Sequence, residues 1–218
     1  MLKGEKVMEF FRRNFVDRPI EELAMPFAAV STALDTGGEV WLRSGSTVEA
    51  VRASIALPGL FTPVPHDGMT LVDGGLVNPV PVSLARAMGA DFVIAVDLSS
   101  DKLGRHAAAK SRVETQGSPI DEWISKLQAN LGGLIPTRTP GENKPPSMYD
   151  VVFSSIDIMQ VRIARSRMAG DPPDVIVSPR LGHFHMLDFH RAKEAIEEGK
   201  RAVEGILNNL HFLRDQLS

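Results

Sequence analysis

Leu71-Val72-Asp73-Gly74-Gly75-Leu76-Val77-Asn78-Pro79-Val80-Pro81-Val82 is the stretch whose reading decides the fold of this chain. Apolar residues run into an aspartate and two glycines, the pattern of a strand that stops in a tight turn. After the two prolines, residues 82–88 read as a helix capped by Gly89. Residues 91–98 then form a continuous apolar run, the pattern of a strand covered on both faces as in a parallel sheet. Strand, turn, helix and strand in this order predict a layered α/β domain.

Toward the N-terminus, His66-Asp67-Gly68 reads as a turn between short extended segments. Ser46 opens a helix, with Glu49 three positions on in the spacing of a capping box, and Val48, Val51 and Ile55 supply its apolar face until Pro58-Gly59. Residues 26–34 read as a buried strand, Thr36-Gly37-Gly38 as a tight turn, and residues 39–43 as the returning strand of a hairpin. An amphipathic helix is predicted over 6–15, ended by Pro19.

Toward the C-terminus the character changes over 99–147, where Gly, Pro, Ser, Lys and Arg dominate. This predicts a surface insertion whose amphipathic segment, with Ile120, Trp123, Ile124, Leu127 and Leu131, forms its own helix. A long helix over 148–168, a strand over 174–178 and a final helix over 188–213 follow. No internal repeat interrupts the order, and a single domain over 1–218 is expected.

Bulk composition narrows the function. The chain of 218 residues is 43% hydrophobic and 23% charged, the balance of a globular protein with a sizeable core. A formal net charge of -3 gives no electrostatic reason to expect nucleic acid as a partner. The absence of cysteine excludes disulfides, thiolate catalysis and thiolate metal sites. No apolar stretch approaches the roughly 20 residues that span a bilayer, so a cytoplasmic chain is expected that meets any lipid peripherally.

The run 51–64, Val-Arg-Ala-Ser-Ile-Ala-Leu-Pro-Gly-Leu-Phe-Thr-Pro-Val, together with 71–82 and 85–98, strongly resembles bacterial patatin-like phospholipases. Residues 173–179, 187–189 and 194–199 resemble that family's closing strand and helix. The resemblance implies a three-layer α/β/α fold in which a serine in a G-x-S-x-G elbow attacks an acyl ester. The aspartate of a D-G-G motif serves that serine with no histidine between them, and an upstream glycine-rich segment supplies the oxyanion hole. Asp73 matches that aspartate, and Gly74 and Gly75 match its glycines. The departure is that no G-x-S-x-G and no glycine-rich oxyanion segment occurs; Gly45-Ser46 lacks the trailing glycine and reads as a helix start. The fold is therefore expected to be incomplete at its N-terminal side, with no nucleophile in this chain.

The chemistry at Asp73 has two readings. A carboxylate takes a serine's proton only if it is within hydrogen-bond reach and partly desolvated, because its ordinary pKa of about 3.9 makes it a weak base. Alternatively, Asp73 is a turn aspartate bonded to its own backbone. Asp97, at the end of a buried strand, stands either where open sheets place ligand groups or as a cap or loop bond. His183 and His185 have H-x-H spacing, with Asp188 nearby as a third potential ligand, but they stand on a Gly-bounded loop and no metal or cofactor is expected.

Two functions follow as expectations. One is a lipid acyl hydrolase using a Ser-Asp dyad, of which this chain supplies only Asp73. The other is a non-catalytic remnant acting as a binding or interaction module. Under both, the partners expected are a lipid or acyl-ester substrate, peripheral membrane contact, and self-association or pairing with a missing N-terminal segment.

Overall fold

The computed structural model describes residues 9, 13, 17–100, 148–184 and 188–207. Most of the helix predicted over 6–15, most of the 99–147 insertion with its amphipathic segment, and the end of the last helix lie outside these residues. The chain forms two compact units, Met1–Ala95 with Arg162–Val175, and Val96–Val161 with Ile176–Ser218.

The first unit is built on a four-stranded antiparallel sheet in the order β2-β1-β4-β3. Its strands are β1 (Ala29–Ala33), β2 (Glu39–Leu42), β3 (Val64–His66) and β4 (Met69–Asp73). All of β1 is buried, its two polar residues Ser31 and Thr32 included, in line with the buried strand expected over 26–34. The β1–β2 hairpin turns through Gly37 at φ +67, where the left-handed backbone suits glycine. Asp67 and Gly68 both take positive φ between β3 and β4, as a two-residue Asp-Gly hairpin requires.

Helix α1 (Thr47–Ser54) starts as predicted: the Ser46 hydroxyl accepts from the Glu49 N–H at 3.0 Å. It stops at Ser54, short of Pro58-Gly59, and residues 55–61 continue in tight turns in which Ala56 and Leu60 donate back to Ala53 and Leu57. Arg52 holds that segment: its buried guanidinium donates to the Thr62 carbonyl at 2.8 Å and hydroxyl at 3.0 Å and lies over the Phe61 ring. Ala29, Ala33, Leu42, Ala50, Ala53 and Leu71 form the core between helix and sheet.

A second cluster in this unit gathers Val80, Val82, Val93, Ala95 and Ala164. It lies among helix α2 (Val82–Ala87), β5 (Ile94–Val96) and the C-terminal part of α3 (Met148–Gly170). Asp174 ties its ends, accepting from the Val93 N–H and from Arg86, each at 2.7 Å. These bonds, the Val93 amide foremost, hold its carboxyl below the usual range.

β5 and β6 (Val175–Val177) make a two-stranded sheet. Val175 donates to Val93 and Asp97 to Val177, so the two strands run in the same direction. The expectation that 91–98 is covered on both faces is corrected: Ile94, Val96 and Leu98 are 51%, 52% and 53% exposed while Val93 and Ala95 are buried. An unbroken apolar run carries no period-2 signal, so it could not report that one face stays open. In the second unit α4 (Ala192–Glu204) follows a 3-10 turn over Phe189–Arg191, so the helix begins later than residue 188.

Gly74 follows β4 and lies against β1. A Cβ there would stand 2.1 Å from the Val30 carbonyl oxygen, which is backbone and cannot swing away. Gly199, inside α4, has open space where a Cβ would go. Gly74→Ala is expected to lower the unfolding free energy by about 2–3 kcal/mol, and Gly199→Ala to raise it by about 0.5–1 kcal/mol. Urea denaturation of the two variants beside the native chain checks both signs.

Candidate active site

Asp73 is the last residue of β4, and three interactions set its position. Its N–H donates to the Ala56 carbonyl at 3.0 Å, which joins it to the segment after α1. Its carbonyl accepts from the Thr32 hydroxyl on β1 at 2.8 Å. Its side-chain Oδ1 accepts from the Gly75 N–H at 2.7 Å and so caps the 3-10 turn Gly74–Leu76. Oδ2 has no hydrogen-bond partner among the described residues.

Burial pushes the Asp73 carboxyl above its ordinary pKa, and the Gly75 amide opposes this without cancelling it. The residue is thus a turn aspartate on one oxygen and an uncommitted, poorly solvated acceptor on the other. A carboxylate with a raised pKa and a free lone pair is suited to take a proton from a neighbouring hydroxyl.

Neither Ser31 nor Ser46 is placed to supply that hydroxyl. Ser31 faces Asp73 in the β1–β4 register, but it is fully buried and its hydroxyl has no hydrogen-bond partner among the described residues. A substrate carbonyl cannot reach an oxygen sealed in this way. Ser46 does have a carboxylate partner, donating to Asp17 Oδ2 at 2.7 Å. Every amide that follows it is nevertheless engaged: Thr47 donates to the Arg18 carbonyl, Val48 to Asp17 Oδ1 and Glu49 to Ser46 itself. With no free donor left for an oxyanion, Ser46 is a helix cap, as its sequence context indicates.

A polar network that sequence reasoning missed lies in the same unit. Asn78, buried five residues after Asp73, donates through Nδ2 to Glu39 Oε1 at 2.8 Å and to the Ser83 hydroxyl at 3.2 Å. Trp41 Nε1 also donates to Glu39 Oε1, at 2.7 Å, and Arg167 pairs with Oε2 at 2.8 Å. Burial alone would raise the Glu39 pKa, but Asn78, Trp41 and Arg167 together bring it below the ordinary value. A cavity of about 380 Å³ opens beside this network, lined by Asn78, Ser83, Ser166 and Arg167 among others. The only sequence signal was Asn78 standing between the D-G-G motif and two prolines; its carboxylate partner, Glu39, is 39 positions away in the chain.

The remaining candidates separate. Asp97 is buried, and its Oδ1 accepts from the Ser99 N–H at 2.9 Å and hydroxyl at 2.7 Å, which is the loop-bond alternative. His183 Nε2 lies 3.1 Å from Glu194 Oε1, and Asp188 pairs with Arg191 at 3.3 Å; His185 lies outside the described residues. No group of three potential ligands that could hold a metal occurs among the described residues. No described helix is long and apolar enough to cross a membrane.

Residues 1–86, the part that carries Asp73 and its glycines, match the family described as patatin-like phospholipase. An uncharacterised NTE family protein of Mycobacterium bovis is 28% identical, over 92% of this chain and 68% of its own length. A second uncharacterised NTE family protein from that organism is 29% identical, over 95% of this chain but 33% of its own. Patatin-like phospholipase domain-containing protein 6 of Mus musculus is 34% identical over 56% of this chain, which is 9% of the mouse protein. With the α/β architecture and the D-G-G turn at the end of β4, these matches support assignment of the chain to the patatin-like phospholipase family.

Proposed function

We propose that the chain supplies the general base of a lipid acyl hydrolase, with Asp73 as the aspartate of a Ser-Asp dyad. The observation that carries this reading is the divided carboxyl group of Asp73, anchored through Oδ1 by Gly75 and unpartnered at Oδ2. The family's name supports a phospholipid ester as the substrate class.

On this reading Oδ2 accepts the proton of a serine hydroxyl as its oxygen bonds to the ester carbonyl carbon. Collapse of the tetrahedral intermediate expels the alcohol, which takes the proton back from Asp73, and leaves an acyl-serine. Water then attacks the acyl carbon, gives its proton to Asp73, and the serine departs reprotonated as the fatty acid leaves. The carbonyl oxygen needs fixed donors throughout. The 218 residues contain no G-x-S-x-G, so the reading assigns the serine and those donors to residues beyond this sequence. The open face of β5, where Ile94 and Val96 are half-exposed, as is Leu98 just beyond the strand, supports its packing against further polypeptide or another copy of itself.

A second reading, a non-catalytic remnant, draws on the same residue: Asp73 caps its own turn and would do so with no chemistry to perform. Expression of the 218 residues alone, and joined to a preceding segment that contains G-x-S-x-G, separates the two in an assay with a chromogenic acyl ester. The dyad reading expects no turnover above background from the chain alone and clear turnover from the joined protein. Turnover by the chain alone contradicts the absent nucleophile, and none from the joined protein favours the remnant. In the active form, Asp73→Asn is expected to cut kcat by about 10²- to 10⁴-fold.

The same substitution has an opposite effect on stability. A carboxyl whose folded pKa is raised contributes its full stability below the unfolded value of about 3.9, and loses it as pH rises through the higher folded value. An asparagine retains an acceptor for the Gly75 N–H and never ionises. Asp73→Asn is therefore expected to gain stability relative to the native chain as pH is raised across that window, and to be at least as stable at neutral pH. Thermal unfolding of both proteins from acid to neutral pH checks the sign.

A further inference from the structure

In the second unit, the loop after β6 and helix α4 border an open, solvent-facing depression of about 500 Å³ lined by Ser178, Arg180, His183, Glu198, Arg201 and Ala202, with Ser178 and Arg180 exposed. The volume falls within the range of small-ligand sites. Its charges are unevenly matched. Glu198 accepts from the Arg180 backbone N–H at 3.2 Å through Oε1 and from Arg201 at 3.3 Å through Oε2, so both of its oxygens are engaged. Glu194 is held by Arg191 through both oxygens, at 2.7 and 2.9 Å, and also meets His183. Asp188 is paired with Arg191. The nearby acids are thus occupied, while the guanidinium of Arg180 has no acceptor among the described residues.

The loop that carries Arg180 is held in place. Leu181 donates to the Pro179 carbonyl and Phe184 to that of Leu181, Arg191 donates to the His183 carbonyl, and its guanidinium stacks over Phe184 at 4.0 Å. A hydrogen-bonded loop that brings an unmatched guanidinium, a serine hydroxyl and the Glu198-paired Arg201 to one open depression matches the donor set for a tetrahedral oxyanion.

We propose that this depression binds a phosphate group, borne either by a soluble phosphate ester or by a phospholipid headgroup, with Arg180 as its principal ligand. The residues of this site belong to the second unit and Asp73 to the first, and its assignment does not depend on the hydrolase reading. The test is direct binding by the full chain: calorimetric titration with inorganic phosphate, and cosedimentation with vesicles of phosphatidylcholine with and without phosphatidic acid. The proposal expects saturable binding in at least one arm, weakened about tenfold or more by Arg180→Ala and less by Arg180→Lys. Arg43→Ala, which removes the same charge from the other unit, is expected to leave binding unchanged. Binding of free phosphate without vesicles identifies a soluble ester, and binding of phosphatidic acid vesicles without free phosphate identifies a membrane headgroup; each supports the site. Binding in neither arm, or equal losses in Arg180→Ala and Arg43→Ala, overturns it.

Discussion

The contact between Gly74 and the carbonyl of Val30 governs where the candidate base stands. No side chain fits between the two backbones, so the chain leaving β4 can lie directly on β1 only because residue 74 is glycine. Asp73 precedes that crossing and is held from both sides, by the Ala56 carbonyl on its amide and the Thr32 hydroxyl on its carbonyl. Helix α1, the turns after it, and β1 thus converge on one residue. The tight turns of 55–61, kept in place by buried Arg52, matter because Ala56 is one of them.

Two carboxylates of the same unit show what this placement does electrostatically. Glu39 and Asp73 are both desolvated, and burial is the largest single influence on each. Glu39 nonetheless ends below its ordinary pKa, since Asn78, Trp41 and Arg167 all donate to it. Asp73 ends above, since Gly75 alone donates to it. The difference is the number of donors supplied. Glu39 is a saturated structural acid, and Asp73 keeps an oxygen available for a proton.

Much of this was legible in the sequence wherever local chemistry decides structure. Ser46 and Glu49 announced a helix start, Asp67-Gly68 a hairpin, and Thr36-Gly37-Gly38 the other hairpin, because caps and two-residue turns depend on neighbours within a few positions. The D-G-G motif announced Asp73, yet not the balance of its two oxygens, which depends on burial. Asn78 with Glu39 and Arg167 was not legible, since those partners meet only after folding. Nor was the open side of β5, because an unbroken apolar run reads alike whether one face or both are covered.

The titration of the Asp73 carboxyl carbon, followed by NMR in the folded chain with aspartate labelled at that carbon and the resonance assigned by its loss in Asp73→Asn, reaches the central claim most directly. A midpoint above the ordinary aspartate value of about 3.9 is the predicted result, reflecting a carboxylate short of donors and water. A midpoint at or below that value would mean that Asp73 is satisfied by its own turn, and would contradict its assignment as a base.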